Sequence, residues 1–258
     1  MSTRSQRING EFESIKHTVD QDQDKRERVI KASRDITALS KRMIFSLHRV
    51  YKQPRTEQFN QLSSIRNTQL TQIHKIWVER VAVEFTHSDP IQRSNIRHSF
   101  SKFAFAGLEE YIEAISFLEF LESDTLITVD KIQLMLSVDN QPIVPVRPLE
   151  YLAGLGDLTG ELMRMAIQLL GMADLTLIER IVELITSVKL VLQDNTHHFH
   201  TLQQKLKTLE NSLKKIEDTR YMYEVRRAEF KDNPEALKRV MEHYQTSSED
   251  SRHISQSN

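Results

Sequence analysis

Residues 24–50 read DKRERVIKASRDITALSKRMIFSLHRV, and this stretch decides the fold class. Val29, Ala32, Ile36, Leu39, Met43, Leu47 and Val50 recur three or four apart, which lays one apolar stripe along a long amphipathic helix. Pro54 ends it, because proline lacks the N–H and its ring clashes with the preceding turn. Downstream, Leu62, Ile65, Ile73, Trp77, Val81 and Phe85 predict a second helix over about residues 56–86, followed by a stop and a new start at Ser88-Asp89-Pro90. Further helices are expected over residues 90–105 and 107–122, with a short one after Thr128. Three of the six prolines, Pro142, Pro145 and Pro148, make residues 139–148 a connection. A helix over residues 149–170 follows. Ile178, Ile181, Ile185, Val188 and Leu192 form one further stripe, and Phe199, Leu202, Leu206, Leu209, Leu213 and Ile216 another. Asn195 falls on the seam between them and Asp194-Asn195-Thr196 resembles a break with a fresh N-cap, so two helices are expected. Nothing alternates at period two for long enough to form a sheet. The chain reads as all-α.

Composition agrees. Six glycines and six prolines in 258 residues leave room for long uninterrupted elements. The absence of cysteine excludes disulfides and thiolate metal sites. No apolar run approaches the roughly 18 residues of a membrane span, and MSTRSQRINGEFES lacks the apolar core of a signal peptide. A soluble, cytoplasmic protein is expected. The segment from residue 245 onward, rich in Ser, Glu, Asp, Gln and Asn, reads as a disordered tail.

A formal net charge of -1 hides a strong asymmetry. Residues 24–55 carry ten Lys/Arg against three acids, whereas residues 107–161 carry eleven acids against Lys131 and Arg147. A metal-loaded acidic site beside a track for nucleic acid needs such a division. Two solvated helix faces that pair with each other would show it too.

Four of the six glycines, Gly107, Gly154, Gly156 and Gly160, lie in the two helical segments that carry the acids. In GLEEYIEAISF, Glu110 and Glu113 are i and i+3 and share a helical face. In EYLAGLGDLTGELMRM, Asp157 and Glu161 are i and i+4, with Glu150 two turns earlier on the same side. Glycine inside a helix costs roughly 0.5–1 kcal/mol, so three in seven residues imply a close neighbour, most simply a packed helix. If the two segments face each other, four carboxylates converge, and their mutual repulsion calls for a cation. Hard oxygen donors suit magnesium or manganese, which can activate water against a phosphodiester. ExxE and DxxxE are also common on solvated helices. Rival patterns are weaker: Gly154-Leu155-Gly156 has no preceding strand to make a phosphate loop, Glu84 to His87 is a single ExxH where a di-iron bundle needs two, and His197, His198 and His200 read as a hydrated helix start.

Three motifs in order, DKRERVIKASRDITALSKRMIFSLHR, GLEEYIEAISFLEF and YLAGLGDLTGELMRMAI, resemble the translin family, and within it the translin-associated factor X branch. The resemblance covers roughly residues 24–230. It implies a single translin-like antiparallel bundle of about seven helices over residues 24–244, preceded by a flexible segment 1–23 and followed by the tail 245–258. It further implies assembly with translin into a hollow hetero-oligomeric, octameric shell that cuts single-stranded RNA, with single-stranded DNA as a second ligand. The RNA would be a silencing passenger strand or a tRNA-processing fragment. Carried over by motif, the family's acidic residues fall on Glu110, Glu113 and Asp157, with Glu161 as a fourth, and would serve both as metal ligands and in catalysis. The translin subunit lacks the paired glutamates and the aspartate, so their presence suggests the catalytic partner. Arg34, Lys41, Arg42 and Arg49 would guide RNA, or form salt bridges within the assembly. The basic amino-terminal extension linked to nuclear import is short here, so the nucleus is the second compartment. A non-catalytic scaffold, or a nucleic-acid-binding subunit without nuclease activity, is the alternative.

Overall fold

A computed structural model describes residues 3–86, 106–139, 141–170, 175–231 and 233. Among these residues there are seven helical runs and no strand. They are α1 (Thr3–Val50), α2 (residues 55–86), α3 (Ala106–Ser123), α4 (Val129–Met135), α5 (Pro148–Leu170), α6 (Leu175–Asn195) and α7 (Thr201–Glu229). The helix expected over residues 90–105 and the tail from residue 245 lie outside the described residues. By its contacts the chain divides into two compact units, Met1–Gly154 and Leu155–Asn258, whose boundary falls within α5.

In the first unit α1 packs on α3 and α2. Val29, Ala32, Ile36, Met43, Leu47 and Val50 are buried as their spacing predicts, while Leu39 is only partly covered. The helix begins at Thr3 and so runs through the stretch expected to precede the domain; there it leaves Ile8, Phe12, Ile15 and Val19 exposed. α3 is covered almost all round, with Leu108, Tyr111, Ile112, Ile115, Phe117 and Leu118 in the core.

α2 contains two π-turns that periodicity alone does not predict, Arg66–Leu70 and Trp77–Ala82. Their cause is visible in the spacing. Ile65 and Leu70 are both buried but five residues apart, and a wider turn keeps both on the core face. Trp77 is a core residue, buried with its indole N–H donating to the Leu136 carbonyl at 3.0 Å. Thr128 caps α4 by accepting from the Lys131 N–H at 3.2 Å. In the connection that follows, Val138 and Gln141 form an isolated antiparallel bridge across a turn in which Asp139 has φ 50°. Glu150 accepts from the Arg147 N–H at 3.0 Å and so closes the first turn of α5.

In the second unit α6 packs on α7. Ile178, Ile181, Ile185, Val188 and Leu192 are buried on α6 as expected. The break between these helices falls at residues 196–200, and the face α7 buries is Leu202, Leu209, Ser212, Ile216, Thr219 and Tyr223, so Leu206 and Leu213 sit at its margin.

The glycines of α5 are not equivalent. A Cβ at Gly154 would lie 2.6 Å from Ile112 Cγ2 and 2.9 Å from the Glu109 carbonyl oxygen, whereas one at Gly160 would meet nothing within 4 Å. Gly154→Ala should therefore lower stability by about 1–3 kcal/mol, because a backbone oxygen cannot swing aside. Gly160→Ala should be neutral or stabilising by up to about 1 kcal/mol. Thermal or urea unfolding of the two variants checks the contrast.

Candidate functional site

The four acids singled out by motif occupy two helices, Glu110 and Glu113 on α3 in the first unit, Asp157 and Glu161 on α5 in the second. Glu113 is buried at 8% exposure, between the buried apolar positions Ile112 and Ala114. Glu110, one turn back, lies 3.3 Å from the Lys41 ammonium of α1. Lys41, which was singled out to guide RNA, thus neutralises a candidate catalytic acid. Arg34, Arg42 and Arg49 are exposed on the same helix.

In the second unit Asp157 receives the Lys205 ammonium on both oxygens, at 2.7 and 2.6 Å. Glu161 lies 3.3 Å from Arg164 on its own helix. Gly156 permits the Lys205 contact, since a Cβ there would fall 3.2 Å from Lys205 Cδ. Sequence reading missed Lys205 altogether. It lies 48 residues from Asp157, and nothing in HTLQQKLKTLE marks one lysine above its neighbours.

These residues fit a hard divalent ion in kind, being carboxylates without soft donors. Among the described residues no three His, Cys, Asp or Glu side chains gather as metal ligands, and Glu110, Asp157 and Glu161 each face a lysine or arginine of their own unit. Glu150 serves as a helix cap.

A second polar cluster lies in the first unit, and spacing did not announce it. Arg66, at the start of a π-turn, pairs with Glu122 and lies 3.8 Å from Glu119, which Lys131 contacts at 2.7 Å. The bond to Glu122 raises the Arg66 pKa further, against the cost of burial. Close by, His74 Nε2 meets the Tyr111 hydroxyl at 2.8 Å. Burial, reinforced by the charge of Arg66, lowers the His74 pKa, and burial raises that of Tyr111. This cluster ties α2 to α3 and α4 and sets a part-buried imidazole of lowered pKa against Tyr111.

These features define an all-helical protein with acidic side chains set into two helices. A translin family model matches residues 24–227, and the chain belongs to that family. It is 35% identical to translin-associated protein X of Pongo abelii over 240 residues, which span 84% of this chain and 79% of the relative. The corresponding homologue of Schizosaccharomyces pombe is 29% identical over 229 residues, covering 85% and 89%. Among solved structures, a chain of AfC3PO in complex with duplex RNA superposes with a TM-score of 0.59 at 16% identity, covering 84% of this chain and 98% of that one. Apo-NeC3PO gives 0.51 at 19% identity, covering 81% and 94%. The expected translin-like all-α fold is thus confirmed.

The His74 arrangement has a pH consequence. A histidine whose folded pKa is lowered stays neutral in the fold while the unfolded chain takes up a proton near pH 6.5. Its contribution is complete above that pH and is lost as pH falls below it. Urea midpoints between about pH 7.5 and 5.5 should decline less steeply for His74→Gln than for the native chain. An equal or steeper decline would contradict a lowered His74 pKa in the fold.

Proposed function

We propose that this chain is the catalytic subunit of a metal-dependent endoribonuclease, acting on single-stranded RNA in a hetero-oligomeric shell with translin. The observation that carries the reading is the family match over residues 24–227 combined with the acids present at its motif positions, Glu110, Glu113 and Asp157. The similarity to translin-associated protein X supports it over most of the chain. In this reading Glu110, Glu113 and Asp157 hold magnesium, or manganese in its place, and Glu161 completes the set. The ion would supply charge stabilisation on the phosphodiester and a more acidic bound water. The protein's own part is to present carboxylates from helices whose backbones are fixed by packing. Arg34, Arg42 and Arg49 supply exposed positive charge that attracts RNA without reading its sequence. Substrates are silencing passenger strands or tRNA-processing fragments, with single-stranded DNA as a further ligand, in the cytoplasm and secondarily the nucleus.

One observation favours a second reading. Glu110, Asp157 and Glu161 all face cations of this same chain, as they would in a non-catalytic scaffold or a nucleic-acid-binding subunit.

The test is cleavage of single-stranded RNA by the full chain co-purified with translin. Glu113→Gln with Asp157→Asn should reduce the rate about a hundredfold or more while leaving the assembly intact by light scattering. Undiminished cleavage would leave the scaffold reading in place.

A further inference from the structure

We propose that Phe45 is a stacking platform for an unpaired base, set in a basic face of α1, so that this helix grips a single strand by one aromatic ring and the cations around it. The proposal rests on the reading above that the chain engages single-stranded RNA. Its evidence lies wholly within the first unit. Phe45 belongs to the segment KASRDITALSKRMIFSLHR, residues 31–49. Its neighbours Met43, Ile44, Leu47 and His48 are buried, yet Phe45 itself is 67% exposed. A lone exposed apolar side chain is ordinary on a protein surface, so its surroundings decide what it is for.

Those surroundings are cationic. Arg34, Ala38, Arg42 and Arg49 are exposed as Phe45 is, and with it they fall within roughly 80° of the helix circumference at about 3.6 residues per turn. Arg42 stands one turn before the ring and Arg49 one turn after it. Among the described residues none of Arg34, Arg42 and Arg49 is paired with an acid. Asp35 is the one acid of the segment, and Arg80 holds it at 2.5 Å. Lys41 borders the same face and keeps 64% of its side chain exposed while lying 3.3 Å from Glu110. The stripe therefore carries uncompensated positive charge on both sides of an open ring.

A ring interleaved with guanidinium groups suits a ligand that is both polyanionic and flat. Arginines attract phosphates without reading sequence, and a base stacks on an aromatic side chain whatever its identity, because every base has a π-face. Bases within a duplex are already stacked on one another, so the ring serves an unpaired strand. An anionic membrane surface fits this face poorly. A helix lying in such a surface needs a broad apolar side, and α1 turns its own, with Val29, Ile36, Met43 and Leu47, into the bundle. Trp77, the one tryptophan of the sequence, is buried and cannot serve as the platform.

The test is binding of a short oligoadenylate to the full chain co-purified with translin, in EDTA so that the strand stays uncut. In the Phe45→Trp assembly the oligonucleotide should quench emission that the native assembly does not lose. Phe45→Ala should weaken binding about five- to tenfold, as loss of one base stack does, and leave the slope of log affinity against log salt unchanged. Arg42→Gln with Arg49→Gln should instead flatten that slope by about 1.4, the value for two phosphate contacts on a single strand. If Phe45→Trp adds no quenching and Phe45→Ala binds as the native chain does, while the arginine variant still weakens binding, the platform is wrong and the RNA reading survives. If binding ignores all of these changes, the face is no part of an RNA track and the proposal falls with it. If the Phe45→Trp emission is blue-shifted and shielded from acrylamide before RNA is added, the face is a subunit interface, which also overturns the proposal. None of these outcomes depends on cleavage, so they stand apart from the fate of the nuclease reading.

Discussion

A carboxylate set among apolar helices cannot stay uncompensated, and that constraint shapes this molecule from the core to the candidate site. Charge repulsion and desolvation both penalise an isolated acid, so a partly buried carboxylate needs a cation or, as at Glu150, a hydrogen-bond donor. Lys41 reaches Glu110 from α1, Lys205 reaches Asp157 from α7, and Arg66 with Lys131 covers Glu119 and Glu122. The opposed charge of residues 24–55 and 107–161 is therefore put partly to internal use. The remaining exposed arginines of α1 are the part of it still available to a polyanion.

Packing and electrostatics meet at the glycines. Gly154 lets Ile112 and the Glu109 carbonyl approach α5, and Gly156 makes room for a lysine stem that ends on the next residue's carboxylate. Three glycines in seven residues look like a weakness in a helix, yet two of them have identifiable neighbours. Gly160 has none among the described residues.

Helices were legible because one period governed them: the stripes of residues 29–50, 62–85 and 178–192 are core faces. The π-turns of α2 were less so, although the five-residue step from Ile65 to Leu70 carries their signature. The acidic positions could be read from motifs, but their counter-ions could not. Ion pairs between residues 48 or more positions apart leave no local pattern, so Lys205 and the Arg66–Glu122 pair became visible only once the chain was folded. Lys41 reads from the sequence as an RNA guide or a salt-bridge partner, and in the structure it lies 3.3 Å from Glu110.

The two readings of the carboxylates differ on what they hold when the chain works. The most direct measurement is a crystal structure of the full chain assembled with translin and soaked in manganese, with anomalous data. The expected result is a manganese peak bonded to carboxylates of the motif positions Glu110, Glu113 and Asp157. Well-ordered carboxylates with no manganese peak at saturating metal, and Lys205 still seated on both Asp157 oxygens, would contradict the nuclease account.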